Sequence, residues 1–168
     1  MKRRGKWIVG LLLLGIAAGI GFDLVRGMGM KTSLEVRAED LKGKQWSLSA
    51  NQGHPVLLSF FSTSCGPCRM EFPAFVRFQE QFADRGLQVV YLTQESRDII
   101  QADRDLSSAP ITFLVGAADA FADFRVESLP RTLLIGASGE VLKDVNGYHP
   151  SLVKELEDRI AELPRRSL

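Results

Sequence analysis

Cysteine and histidine are scarce in this chain: its 168 residues include only Cys65 and Cys68, His54 and His149. Two cysteines cannot form the disulfide framework that holds small secreted domains together. Neither histidine stands at finger-like spacing from them, which argues against a structural zinc site. An excess of charge is missing too, with 21 basic residues against 20 acidic ones. Five bases (Lys2, Arg3, Arg4, Lys6, Arg26) and one acid (Asp23) precede residue 27, so that segment carries +4 and the rest −3. A slightly acidic globule without a basic stripe has no electrostatic reason to bind nucleic acid. Internal repeats and low-complexity tracts are absent. What is present, 45% apolar and 24% charged residues with a mean hydropathy of +0.01, is the composition of a folded globule. At roughly 100 to 200 residues per domain there is room for one, able to bury about two thirds of its unfolded surface without a disulfide.

The first 26 residues read as a membrane anchor or signal segment. Four bases come first, followed by an uncharged apolar run of 16 residues from Trp7 to Phe22. That run is longer than a typical signal core of about 7 to 15 residues and shorter than the roughly 20 that span a bilayer, unless residues as far as Val25 are recruited. Ala17-Ala18-Gly19 is an imperfect cleavage site, and no cysteine follows the run closely enough for lipid attachment. The reading favours an uncleaved single-pass anchor over a cleaved signal. The leading bases hold the N-terminus in the cytoplasm and place the remainder across the membrane. Residues 27–32 read as a tether and 33–168 as the folded domain.

Within that domain, Leu34 to Ala38 and Trp46 to Leu48 flank Lys42-Gly43-Lys44, a hairpin signature. Val56 to Phe61 is a continuous apolar run of strand length, hence a buried central strand. Ser62 to Cys68 follows, then a helical pattern with Phe72, Phe75, Val76, Phe78 and Phe82 inward, ended by Gly86. Leu87 to Leu92 supplies the next strand, completing a βαβ crossover. A single helix is expected over Ser96 to Leu106, a strand at Ile111 to Val115 and a short helix at Ala118 to Phe124. Leu133 to Ile135 and Val141 to Val145 read as an antiparallel pair. Ser151 to Leu163 reads as a final amphipathic helix with Leu152, Val153, Leu156, Ile160 and Leu163 inward.

Both cysteines sit at the strand-to-helix junction, spaced Cys-x-x-Cys. A cysteine at a helix N-terminus meets unpaired backbone N–H groups and the positive end of the macrodipole, which favour thiolate over thiol. Cys65 is therefore expected to be the exposed nucleophile and Cys68, one turn further in, the shielded resolving thiol. Pro67 stiffens the turn and removes an N–H that the first helical turn leaves unpaired. A structural disulfide at this spacing would close a tiny loop and stabilise little. Thiol-disulfide exchange is the chemistry this spacing supports best.

The run Val56-Leu57-Leu58-Ser59-Phe60-Phe61-Ser62-Thr63-Ser64-Cys65-Gly66-Pro67-Cys68-Arg69-Met70-Glu71-Phe72-Pro73 resembles the thioredoxin family. It is closest to the membrane-anchored or exported branch that includes the TlpA, ResA and CcmG proteins. Leu129-Pro130-Arg131-Thr132-Leu133-Leu134-Ile135 and Ser138-Gly139-Glu140-Val141 resemble the family's cis-proline loop and the hairpin after it. The resemblance spans about Leu34 to Leu163. It implies a central mixed β-sheet flanked by helices, with an N-terminal β-hairpin extension. It also implies a cis Pro130 facing the Cys65 sulfur, with Gly66, Pro67, Leu129 and Pro130 contacting substrate, and a Pro73 that kinks the active-site helix. Glu71, three residues after Cys68, shares a helix face with it and by the resemblance tunes the thiols. No cofactor is implied beyond the redox-active pair itself.

Two positions depart from the family pattern. Ser64 stands where most relatives carry tryptophan. Ser59 stands where thioredoxin carries an acid, six residues before the first cysteine, which leaves Glu71 as the only motif carboxylate near the thiols. Gly66-Pro67 resembles reducing thioredoxin, near about −270 mV, rather than the oxidant DsbA near about −120 mV. The resulting expectation is a membrane-tethered protein-disulfide reductase outside the cytoplasm. Its partners would be disulfide-bearing exported proteins and a membrane thiol transporter as electron donor, often in cytochrome c maturation. An oxidant or isomerase on the same fold, or a copper carrier using the thiolates with His149 or His54, are the alternatives. Gly147-Tyr148-His149-Pro150 fits better as the start of the last helix, with Pro150 in its first turn.

Overall fold

Asp40 turns the chain at its first hairpin. Its carboxylate accepts from the backbone N–H groups of Lys42 and Lys44 at 2.8 and 2.9 Å, and Gly43 supplies the positive φ of +80° that the turn requires. The computed structural model describes residues 35–164, so the readings of residues 1–26 and 27–32 lie outside the described residues. Among those described, no helix is long and apolar enough to cross a membrane.

The elements run β1 (Arg37–Asp40), β2 (Gln45–Ser47), β3 (Val56–Phe60), α1 (Gly66–Gln81), β4 (Gln88–Leu92), α2 (Arg97–Ala102), α3 (Arg104–Ser107), β5 (Thr112–Val115), α4 (Ala118–Asp123), β6 (Arg131–Ile135), β7 (Val141–Asn146) and α5 (Pro150–Ala161). The strands form one seven-stranded sheet in the order β2-β1-β5-β4-β3-β6-β7. β3, β4 and β5 are parallel, and the other pairings are antiparallel. This is the mixed sheet with an added N-terminal hairpin expected of a thioredoxin fold. Period-two alternation sorts β3 onto both faces. Leu57 and Phe61 join the core under α1 and α5, whereas Val56, Leu58 and Phe60 join the core under α4.

Helix α1 continues through Pro73 to Gln81. A proline in a helix interior costs about 3 kcal/mol because it removes an N–H and crowds the preceding turn. Phe75, Phe78 and Phe82 are all buried, and at about 2 kcal/mol each their removal from water outweighs that cost. Phe72, expected inward, is half-buried and packs against the same core, while Val76 is half-buried. In α5, Leu152, Leu156 and Ile160 are buried, while Val153 and Leu163 pack partly exposed against the same core. His149 is the N-cap residue of α5 and Pro150 stands in its first turn.

The structure corrects two of the expected elements and shifts a third. The helix expected over Ser96 to Leu106 is two helices. Asp103 breaks it by taking an extended backbone and accepting from the N–H groups of Asp105 and Leu106, the competition by which aspartate favours a cap over a helix interior. Ile99, expected as an apolar position of that helix, is 47% exposed, and its neighbour Ile100 is buried. β6 begins at Arg131 rather than Leu133, since a sheet-paired arginine at its end carries no apolar signal. β1 lies at Arg37–Asp40, overlapping the expected Leu34 to Ala38 only at Arg37 and Ala38.

Candidate active site

β3 delivers the chain to the thiols and α1 receives it. Between them, Ser62, Thr63 and Ser64 form a loop anchored on Glu95, which follows β4. The Glu95 carboxylate accepts from the Thr63 backbone N–H at 3.0 Å and from its hydroxyl at 2.6 Å, and from Ser62 Oγ and Thr93 Oγ1 at 3.1 Å each. Partial burial pushes the Glu95 carboxyl up, but the bonds from Thr63, Thr93 and Ser62 more than offset it, leaving the acid below its ordinary range. From the other side Arg69 Nε donates to the Thr63 carbonyl at 3.2 Å while its Nη2 pairs with Asp103 at 2.6 Å. The Asp103 that breaks the expected helix is thus the anion that holds Arg69.

Cys65 and Cys68 are joined as a disulfide with their Cα atoms 5.3 Å apart. Cys65 is the N-cap of α1, and its sulfur accepts from the Cys68 backbone N–H at 3.2 Å. It is half-buried, whereas Cys68 is fully buried. This is the asymmetry expected of an attacking and a resolving sulfur. Gly66, Pro67 and Ser64 are exposed around the pair, as is Met70 at 63%. The Leu129–Pro130 peptide bond is cis. Leu129 is half-buried and packs against both cores, and Pro130 is buried with its carbonyl bonded to Gly147 N at 2.7 Å.

Glu71 is fully buried on the inner face of α1. Ser59 Oγ donates to its Oε1 at 3.1 Å and also bonds Thr132 Oγ1 at 3.1 Å. Burial raises the Glu71 carboxyl to about 7, against the opposing pull of hydroxyl groups from Ser59 and Thr132. A buried acid that titrates near neutrality, one helical turn from the buried sulfur, is suited to exchanging a proton with it.

The hydrogen bonds of the two histidines go elsewhere. His54 precedes β3 at the end remote from the cysteines and bonds the Gly86 carbonyl at 3.3 Å through Nδ1; His149 Nδ1 bonds Ser151 Oγ at 2.9 Å. Among the described residues, no group of three or more cysteine, histidine or acidic side chains is placed to hold a metal ion. The sequence reading missed Glu95, Asp103, Thr132 and Tyr91. Only Ser59 had a signal, its place six residues before the first cysteine.

Known proteins share this architecture. The chain is 28% identical over 167 residues to the thioredoxin-like protein YneN of Bacillus subtilis, covering 92% of this chain and 96% of that one. It is 26% identical over 164 residues to the thiol-disulfide oxidoreductase ResA of Bacillus cereus, covering 91% and 93%. A Chlorobium tepidum crystal structure assigned as a thiol:disulfide interchange protein DsbE superposes with a TM-score of 0.70 at 25% identity, over 78% of this chain and 94% of that one. The AhpC/TSA family profile matches residues 31–144. With its dithiol at the head of α1, the chain belongs to the thioredoxin-like AhpC/TSA family and is a thiol-disulfide oxidoreductase of the TlpA/ResA type.

Proposed function

We propose that the protein is a membrane-tethered reductase of disulfides in exported proteins, working outside the cytoplasm, in cytochrome c maturation among other routes. The observation that carries this reading is the pairing of a half-exposed Cys65 at a helix N-terminus with a fully buried Cys68 above a buried Glu71. In the reduced protein, Cys65 thiolate attacks one sulfur of the substrate disulfide. A mixed disulfide forms and the first substrate thiolate leaves. Cys68 then gives its proton to the Glu71 carboxylate and attacks Cys65 Sγ, and the second substrate thiolate leaves. Two electrons have passed to the substrate, whose thiolates take protons from solvent, and Cys65–Cys68 is restored. The exposed Gly66 and Pro67 beside Cys65, together with Leu129 and the cis Pro130 that the family resemblance assigns to the same role, are proposed as the substrate-contacting residues.

An oxidising compartment needs a constant supply of electrons to keep such a pair reduced. The charged-then-apolar segment of residues 1–26 supports an inner-membrane anchor beside a membrane thiol transporter that would supply them. Gly66-Pro67 supports the reducing direction. The test is trapping in cells that keep this supply. Cys68→Ala should accumulate as a mixed disulfide through Cys65 with an exported protein, and the wild-type pair should be found mostly reduced. A wild-type pair held mostly as disulfide there would overturn the reductase reading.

A further inference from the structure

One rung of the sheet carries three hydroxyl side chains beneath α1. Ser59 of β3 is the register partner of both Tyr91 on β4 and Thr132 on β6, and residues paired this way project from the same face. That face is the one α1 covers. The Tyr91 ring lies 5.7 Å from Phe72 and 6.0 Å from Phe75, centroid to centroid, and Phe72 is the next residue after Glu71. Ser59 and Thr132 bond each other, and Ser59 bonds Glu71. Tyr91 Oη and Glu71 Oε2 are left over. Both are buried, and neither has a hydrogen-bond partner among the described residues. The Tyr91 hydroxyl is held well above its ordinary range, first by burial and then by the negative charge of Glu71, so the two groups are within electrostatic reach.

An orphaned buried polar atom is costly, and proteins commonly satisfy such atoms with an internal water that needs two or more polar partners. Tyr91 Oη and Glu71 Oε2 are complementary orphans, a hydroxyl and a carboxylate oxygen, on residues that both lie under α1. We propose that one buried water bridges Tyr91 Oη and Glu71 Oε2, making Tyr91 a positioning residue for the acid that serves Cys68. This rests on Glu71 being the proton acceptor proposed above. With Glu71 ionised, Tyr91 donates to the water and the water to the carboxylate. When Cys68 passes its proton to Glu71, the direction reverses and Tyr91 Oη accepts. No electron or substrate atom passes through Tyr91. The polar and titratable groups facing Glu71 are Ser59 from β3, Thr132 from β6, Tyr91 from β4, and Cys68 on α1 itself; none is a fixed charge.

The test uses the reduced full-length chain and an aromatic disulfide, dithionitrobenzoate. Cys65 releases the first thionitrobenzoate and Cys68 the second, so the second phase reads the resolving step against pH. In the wild type that phase should inflect near pH 7, where Glu71 titrates. Tyr91→Phe keeps the ring and loses the donor. Its inflection should move up by about one pH unit, making the second phase about tenfold slower at pH 6 and equal to wild type at high pH. In a Glu71→Gln background the same substitution should change nothing further. An unmoved inflection in Tyr91→Phe overturns the water bridge while leaving the role of Glu71 intact. A wild-type inflection that survives Glu71→Gln overturns both. A crystal structure of the wild-type oxidised protein gives an arm independent of any variant's folding. An ordered water within hydrogen-bond distance of both atoms is expected, and a dry gap there overturns the proposal.

Discussion

Ser59 Oγ donates to Glu71 Oε1 at 3.1 Å, so the position where thioredoxin keeps an acid here supports one reaching down from the helix. In this chain the carboxyl is carried by α1, and the strand supplies a donor that stabilises its charge. Removing that donor should make Glu71 harder to ionise. In Ser59→Ala the pH at which Glu71 titrates should rise by about one unit above 7. Stability measured against pH in the oxidised protein checks this, and a curve superimposable on wild type would refute it.

The raised Glu71 fixes a direction for pH dependence. Below its ordinary value of 4.5 the group is protonated in both the folded and the unfolded chain and has no effect. Between 4.5 and about 7 only the unfolded chain has ionised, so stability falls as pH rises, by about 3 kcal/mol once pH exceeds 7. Glu71→Gln should abolish that fall and be the more stable protein at pH 8. Urea unfolding at pH 5 and pH 8 reads the difference, and parallel losses in both proteins would contradict it.

Glu95 predicts the opposite trend. Its carboxyl lies below the ordinary range because Thr63, Thr93 and Ser62 bond the charged form. Its contribution is therefore present above about pH 4.5 and is lost as pH falls further. Glu95→Ala leaves the Thr63 N–H and three hydroxyls without this acceptor and should cost about 2 kcal/mol. Amide exchange at Thr63 should quicken in the variant; unchanged protection would show that the loop does not depend on Glu95.

In the reduced protein, one thiol should titrate below the ordinary cysteine value of about 8.5 and the other above it. Thiolate absorbance should retain the low step in Cys68→Ala and lose it in Cys65→Ala. Two steps near 8.5 would remove the physical basis assigned to α1.

The dithiol and its helix were readable in the sequence because their signals are local. The apolar run of β3, the Cys-x-x-Cys spacing and the phenylalanine periodicity of α1 each lie within a few residues. Asp103 was misread because apolar residues on both sides of it kept helical spacing, and a cap is decided by whether the chain turns there. Thr132 and Tyr91 were invisible for another reason. Their meeting with Ser59 is a matter of strand register, linking residues 59, 91 and 132, and no spacing within the chain encodes it. Glu95 likewise matters only because β4 ends beside β3.

The sulfur that caps α1 is also the sulfur that reacts. Ordinary caps are chosen for permanence, whereas this one changes character during every turnover: an anion in the resting dithiol, then one half of a bond to a foreign chain, then one half of an internal bond. The Cys68 N–H that it accepts in the oxidised form will find its strongest partner in the thiolate. The opening turn of the helix is thus held more tightly when the protein carries electrons than when its sulfur is tied up in either disulfide, so the cap that steadies the helix is strongest in the state poised to attack.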